Sequence, residues 1–169
     1  MYNVELVNIG LIDPSVKNTA PSMPHLGLAY IAGSLEQKGH AVSVSDMDQS
    51  TAAEVDEFLK TPFDLLGVTA ASYTFRRAIE TVRRFKKRNS AVPVVMGGPQ
   101  VSLELEKIFD CGEIDFAVYG EGEATIKELV GRLEGKSNQD YDEILGLIYK
   151  KNGKITANPP RPRNRQLDN

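Results

Sequence analysis

The sequence predicts an α/β domain, a five-stranded parallel sheet wound with helices on both faces and extended at its C-terminal end by a β-hairpin. Two observations predict it. Five short apolar or β-branched runs alternate in order with helix-length amphipathic segments, the pattern of repeated strand–helix crossovers. Further on, Asn152-Gly153 separates two more strand-like runs, and Asn-Gly is the strongest short hairpin signal. The 169 residues suit one such domain, with roughly 70% of the unfolded chain's surface buried on folding.

Val4 to Ile9 reads as the first strand, ending at Gly10. Leu11 to Pro24, with Pro14, Pro21 and Pro24, is a loop longer than the ~2–6 residues usual between strand and helix. From Leu26 the apolar residues Leu28, Ile31 and Leu35 recur at helical spacing, and Gly39 closes that helix. Ala41 to Asp46 alternates as a second strand, and Thr51 to Lys60 is a helix stopped by Pro62. Asp64 to Thr69 is apolar at its centre, as a strand covered on both faces should be. Tyr73 to Asn89 forms a helix with Ala78, Ile79, Val82 and Phe85 on one side. Pro93 to Met96 is the fourth strand and Val101 to Phe109 the helix after it. Asp115 to Tyr119 is the fifth strand, and Gly120 to Glu123 opens a helix reaching Leu133. Strands at 146–150 and 154–157 make the hairpin. The count and order describe a flavodoxin-like (Rossmann-like) sheet, in which ligands sit at the carboxyl ends of the strands.

Composition narrows the function classes. A net charge of -3 leaves no electrostatic footprint for nucleic acid. One cysteine, Cys111, makes no intrachain disulfide and no three-cysteine iron–sulfur site. His25 and His40 are too far apart for a local metal motif, so no metal ligand is assigned. The stretch Leu26 to Ala32 is far short of the ~20 apolar residues that span a bilayer. Met1-Tyr2-Asn3-Val4-Glu5 lacks the basic start and apolar core of a secretory signal, so a cytoplasmic chain with no membrane partner is expected.

No self-contained catalytic group emerges. His25 opens a helix, where a capping role is the plainer reading; Cys111 falls at the opposite edge; and Asp13, Asp46, Asp48, Glu121 and Glu123 read as turn and helix-end carboxylates. Glu121 and Glu123 would also set negative charge where a phosphate would sit. The notable pattern is instead a series of small residues at strand ends: Thr69-Ala70-Ala71-Ser72, Gly97-Gly98 and Gly120-x-Gly122. Such residues let a large ligand approach backbone atoms, and with the long first loop they point to a bulky, neutral-to-amphipathic ligand.

Pro24-His25-Leu26-Gly27-Leu28-Ala29-Tyr30-Ile31-Ala32, then Gly39-His40-x-Val42 and Asp46, resembles the start of the cobalamin (vitamin B12)-binding domain of radical SAM proteins. Val95-Met96-Gly97-Gly98-Pro99 and Gly120-Glu121-Gly122-Glu123 continue the resemblance in order. It implies a corrinoid across the carboxyl edge of the sheet. The nucleotide tail would pass Thr69, Ala70, Ala71, Ser72, Gly97, Gly98 and Pro99, with Gly120, Glu121 and Gly122 on the far side and Pro24, His25, Leu26 and Gly27 near the entrance. The Asp-x-His-x-x-Gly motif whose histidine ligates cobalt in methionine synthase and the mutases is missing, since Met23 and Leu28 stand where its Asp and Gly would be. The expectation is therefore cobalamin bound with no protein histidine on cobalt.

By the same resemblance, residues 1–140 form the cobalamin-binding domain, 141–158 the hairpin, and 159–169 a linker towards a C-terminal radical SAM domain of the same polypeptide. S-adenosylmethionine and a 4Fe-4S cluster would be held there, not by this chain, and methyltransferase or related radical chemistry would belong to the whole protein. Two other readings share the topology. A phosphorelay receiver needs an Asp ending strand three and a Lys ending strand five, where this chain has Thr69 and Tyr119. A flavodoxin-like FMN carrier needs a hydroxyl-rich phosphate loop after strand one, where Ser15, Asn18, Thr19 and Ser22 are interleaved with prolines. The basic run on the third helix (Arg76, Arg77, Arg83, Arg84, Lys86, Lys87, Arg88) reads as a solvated face or a docking surface for another domain.

Overall fold

A computed structural model of the chain describes residues 1–8, 25–47 and 50–162. The expected strand end at Ile9, the long first loop, Pro24 and most of the basic tail lie outside these residues.

Seven strands form one sheet in the order β2-β1-β3-β4-β5-β6-β7. The first five, β1 (Asn3–Asn8), β2 (Ala41–Asp46), β3 (Leu65–Thr69), β4 (Val94–Gly97) and β5 (Phe116–Val118), are parallel in the doubly wound order. The hairpin continues this sheet: β6 (Leu147–Lys151) pairs antiparallel with β5, and β7 (Lys154–Ala157) pairs antiparallel with β6. An isolated two-stranded ribbon is marginal in water, and here the main sheet supplies its support. Asn152 and Gly153 both take positive φ, 52° and 78°, as the two-residue turn requires.

Alternation along the strands sorts side chains between two cores. Val4, Leu6, Leu65, Val95, Phe116 and Val118 face α1 (Leu26–Glu36) and α6 (Glu123–Leu133). Val7, Leu66, Val68, Val94, Met96 and Ala117 face α2 (Ala52–Phe58), α3 (Phe75–Arg88) and the short α4 (Pro99–Leu103) and α5 (Leu105–Asp110). All five residues of β3 are buried, which explains its unbroken apolar reading. Helix α2 opens with a reciprocal cap: the Glu54 N–H donates to Thr51 Oγ1 at 3.3 Å and the Thr51 N–H to Glu54 Oε2 at 2.6 Å.

One expectation needs correction. The single helix expected at 101–109 is two short ones, broken where Glu104 leaves helical geometry (φ -142°, ψ 56°). Val101, Ile108 and Phe109 are buried at spacings that suit one continuous helix, so apolar periodicity alone does not reveal the break. The basic run on α3 is largely a solvated face, with Arg76, Arg83, Lys87 and Arg88 exposed, and several of its charges are paired. Arg83 pairs with Glu113 at 3.1 Å, Lys86 with Asp115 at 2.7 Å, and Arg84 and Arg88 both with Asp56. Much of its charge therefore fastens α3 to α2 and to the approach to β5. Among the described residues no helix is long and apolar enough to cross a membrane.

Candidate functional site

At the carboxyl edge the sheet and the ends of α1 and α6 enclose a cavity of about 260 Å³. Its floor is one face of the sheet, with Leu6 of β1, Gly67 and Thr69 of β3, Val95 and Gly97 of β4 and Val118 of β5 at alternate positions. Leu28 and Ile31 of α1 form one wall, Glu123 and Ile126 of α6 the other. His25, Gly27, Gly98 and Gly120 to Gly122 ring the mouth.

Two glycines make this slot. Gly67 interrupts an otherwise apolar strand, and a Cβ there would come within 2.6 Å of Leu6 Cδ2. The space its side chain would take is filled by Leu6, so the glycine lets β1 and β3 pack closely beneath the slot. Gly98 sits at φ 95°, and a Cβ there would lie 2.7 Å from Thr69 Oγ1 and 2.8 Å from the Ala70 carbonyl oxygen. The turn after β4 thus rests directly on the end of β3. The Ala70 N–H donates to the Gly97 carbonyl and the Gln100 N–H to the Ala70 carbonyl, each at 3.2 Å. Thr74 closes the loop beyond, its hydroxyl accepting from the Ala71 N–H at 3.0 Å.

The slot is mainly apolar with one polar group at its base. Thr69 is buried and lines the cavity, and its hydroxyl has no hydrogen-bond partner among the described residues. On the cavity wall it is available to a ligand atom in the slot. Among the described residues no lysine or arginine lines the cavity, while Glu121 and Glu123 border it. Negative charge at the α6 N-terminus takes the place a bare phosphate would seek.

The two histidines lie at opposite edges of the sheet. His25 is the N-cap of α1, its Nδ1 accepting from the Leu28 N–H at 3.4 Å, as the capping reading expects. His40 lies just before β2, at the amino edge, with Nδ1 3.7 Å from Glu134. Cys111 is half-buried beyond α5, its thiol donating to the Ile108 carbonyl, and burial pushes its pKa up, which makes it a poor nucleophile.

Of the residues singled out from sequence, His25, Gly27, Thr69, Gly97, Gly98, Gly120, Glu121 and Gly122 line the slot. Leu26, Ala70, Ala71, Ser72 and Pro99 lie at the same edge outside the lining, and Pro24 falls outside the described residues. Glu123, read from sequence as a helix-end carboxylate, lines it too, and sequence reasoning missed Leu6, Leu28, Ile31, Gly67, Val68, Val95, Val118 and Ile126. Gly67 was the available signal, a lone glycine in a buried strand; the others read as ordinary core.

The volume bounds what can enter. Pockets that enclose whole drug-sized ligands run ~300–1,000 Å³, so this slot takes part of a larger molecule. The rest would lie on the rim, where Leu26 and Tyr73 are 67% and 70% exposed. Fold and site together define a doubly wound domain with an apolar slot between its sheet and two helices, at the edge where such folds bind ligands.

The chain belongs to the B12 binding domain family, whose model matches residues 14–130. The uncharacterized methyltransferase PH0819 of Pyrococcus horikoshii is 38% identical over 149 residues, which cover 86% of this chain and 32% of that protein. The radical enzyme OxsB, solved with aqua-cobalamin and S-adenosylmethionine, superposes with a TM-score of 0.78 at 18% identity, over 99% of this chain and 23% of that one. The radical S-adenosylmethionine methyltransferase TsrM from Kitasatospora setae, solved with cobalamin and a 4Fe-4S cluster, gives 0.71 at 23% identity, over 99% of this chain and 30% of that one. The two superpositions concern the fold. The chain spans about a third of the length of the curated relatives it matches.

Proposed function

We propose that this chain binds cobalamin at the carboxyl edge of its sheet, with the nucleotide tail in the α1–α6 slot and no histidine of this chain on the cobalt. The observation that carries the reading is the slot itself: Gly67 makes room for Leu6 in its floor, Gly98 lets the neighbouring turn close on β3, and Thr69 offers a hydroxyl at its base. An aromatic tail with a hydrogen-bonding ring nitrogen suits that combination. Leu28, Ile31, Val118 and Ile126 would cover its faces, and Glu121 and Glu123 would keep free phosphate away. A bound cobalamin supplies a metal centre able to carry a methyl or related group. What this chain does is hold the tail, exclude water from it and present the corrin on the rim.

The missing histidine ligand is supported by how both histidines are placed: His25 uses Nδ1 to cap α1, and His40 lies at the far edge. We also propose that residues 1–140 and the hairpin at 141–158 act as the cofactor-binding module of a radical SAM protein, with 159–169 leading to its radical SAM domain. Methyl transfer or related radical chemistry would be the work of that whole protein, with S-adenosylmethionine and a 4Fe-4S cluster bound outside this chain.

Hydroxocobalamin or FMN added to the purified chain, followed by desalting and a visible spectrum, tests the reading. About one equivalent of cobalamin should be retained, and His25→Ala should leave the cobalt spectrum unchanged. Retention of flavin alone would refute cobalamin binding. Loss of a nitrogen axial-ligand signature in His25→Ala would refute the missing histidine ligand.

A further inference from the structure

A second hollow, of about 510 Å³, lies on the other side of the Gly120–Glu121 wall, lined also by Ser102, Tyr119, Pro160 and Arg161. We propose that it receives peripheral carboxamides of the corrin ring, an inference that rests on the cobalamin reading above. Its chemistry differs from that of the slot. Ser102 and Tyr119 bring hydroxyls, which donate and accept, while Glu121 and Arg161 bring one charge of each sign. Neither charge is free. Arg161 Nη2 donates to Glu128 Oε2 at 2.8 Å and its Nε to Thr125 Oγ1 at 3.3 Å, and Glu121 has a partner of its own.

The wall is also built in advance. Pro159 and Pro160 stiffen the segment, the Gly146 N–H donates to the Pro159 carbonyl at 2.9 Å, and Asn158 Nδ2 donates to the carbonyls of Tyr141 and Ile144 at 2.6 and 2.8 Å. A hollow with hydroxyls and, among the described residues, no uncompensated cation selects a neutral group that both donates and accepts. A carboxylate or phosphate would meet Glu121 with no free partner, and a hydrocarbon would leave the hydroxyls unmatched. Primary carboxamides are the neutral groups at the edge of a corrin. A macrocycle resting on the rim with its tail in the slot reaches across the shared wall.

The test is spectral titration of the full chain and its Ser102→Ala/Tyr119→Phe double variant with hydroxocobalamin and with cobinamide, which lacks the nucleotide tail. Both residues are exposed, so the fold should survive. Losing a neutral hydrogen bond weakens binding about 2- to 10-fold, and the variant should lose that factor for both ligands alike. Gly97→Ala, which narrows the slot, should weaken cobalamin and leave cobinamide unchanged. An unchanged affinity of the double variant, or a loss confined to cobalamin, overturns the carboxamide hollow. Absence of cobalamin binding by the unaltered chain overturns the cobalamin reading and this inference with it. If the double variant does not fold, cobalamins with one peripheral amide hydrolysed to a carboxylate decide: the unaltered chain should bind at least one of them several-fold more weakly, and equal affinity for all refutes the proposal.

Discussion

Replacing Gly98 by alanine should damage the fold, while the same change one residue earlier should damage only the site. At Gly98 the backbone has φ 95° and ψ 178°, a region that residues with a Cβ occupy at a cost of about 1–3 kcal/mol. The new methyl would also stand 2.8 Å from the Ala70 carbonyl and 3.1 Å from its nitrogen, backbone atoms that cannot swing aside. Together roughly 2–4 kcal/mol should be lost. At about 2–4 °C per kcal/mol for a chain of this size, Tm should fall by about 4–16 °C. At Gly97 a Cβ meets nothing within 4 Å, and strand alternation points it into the slot. Gly97→Ala should therefore keep Tm within about 2 °C and reduce cobalamin retention after desalting. Differential scanning calorimetry with the retention assay separates the two effects. Equal Tm values for Gly98→Ala and the unaltered chain would refute the claim that the β4 turn must press against β3. A Gly97→Ala variant as unstable as Gly98→Ala would refute the claim that this position faces open space.

Thr69→Val keeps the shape of the side chain and removes its unmatched hydroxyl, so Tm should hold or rise slightly while cobalamin affinity falls about 2- to 10-fold by titration. Glu5 is buried in β1, and that burial, opposed by hydrogen bonds from Ser45 and Ser43, raises its carboxyl pKa above the ordinary value. An acid whose folded pKa is raised binds protons more tightly when folded, so stability should decline as pH rises from its unfolded pKa towards its folded one. Glu5→Gln should remove that slope and add on the order of 1 kcal/mol at neutral pH in denaturant melts. Asp142 behaves oppositely: hydrogen bonds from Lys151 and then Tyr149 lower its pKa, so its contribution is present above its unfolded pKa and lost as pH falls through its folded one. Asp142→Asn should flatten the acid limb of the stability profile. The Tyr149 phenol is pushed up to about 12 by burial and then by Asp142, so an absorbance titration should show one late tyrosine that Tyr149→Phe removes.

The fold was legible because each level of the sequence agreed with the next. The runs at 41–46 and 64–69 read as strands on their own, and Asn152-Gly153 announced its turn through the residues that tolerate positive φ. The break at Glu104 was not legible, because Val101, Ile108 and Phe109 keep helical spacing across it. Half of the site was visible as glycines and small residues at strand ends. Its apolar lining was not, since Leu6, Val95 and Ile126 carry no mark that separates the wall of a slot from ordinary core. Only the glycine at 67 tells them apart, and it matters only once Leu6 is known to fill the space beside it from the neighbouring strand.

The hairpin explains why the edge that carries the slot is also the edge at which residue 158 emerges. Helix α6 ends near the amino edge, where Glu134 lies 3.7 Å from His40, and residues 134–146 climb back to the carboxyl edge before β6 begins opposite Val118. Strand β6 then descends and β7 returns, so residue 158 emerges on the carboxyl side, beside the start of β6. Two added strands bring no net displacement along the sheet. What they bring is a partner for β5, which at three residues would otherwise be a short open edge. They also anchor the departing segment, since Asn158, Pro159 and Arg161 bond back to the turn before β6 and to α6. Helix α6 is one wall of the slot, and Arg161 holds it through Thr125 and Glu128. The segment after β7 is thus fastened to the same helix that lines the slot.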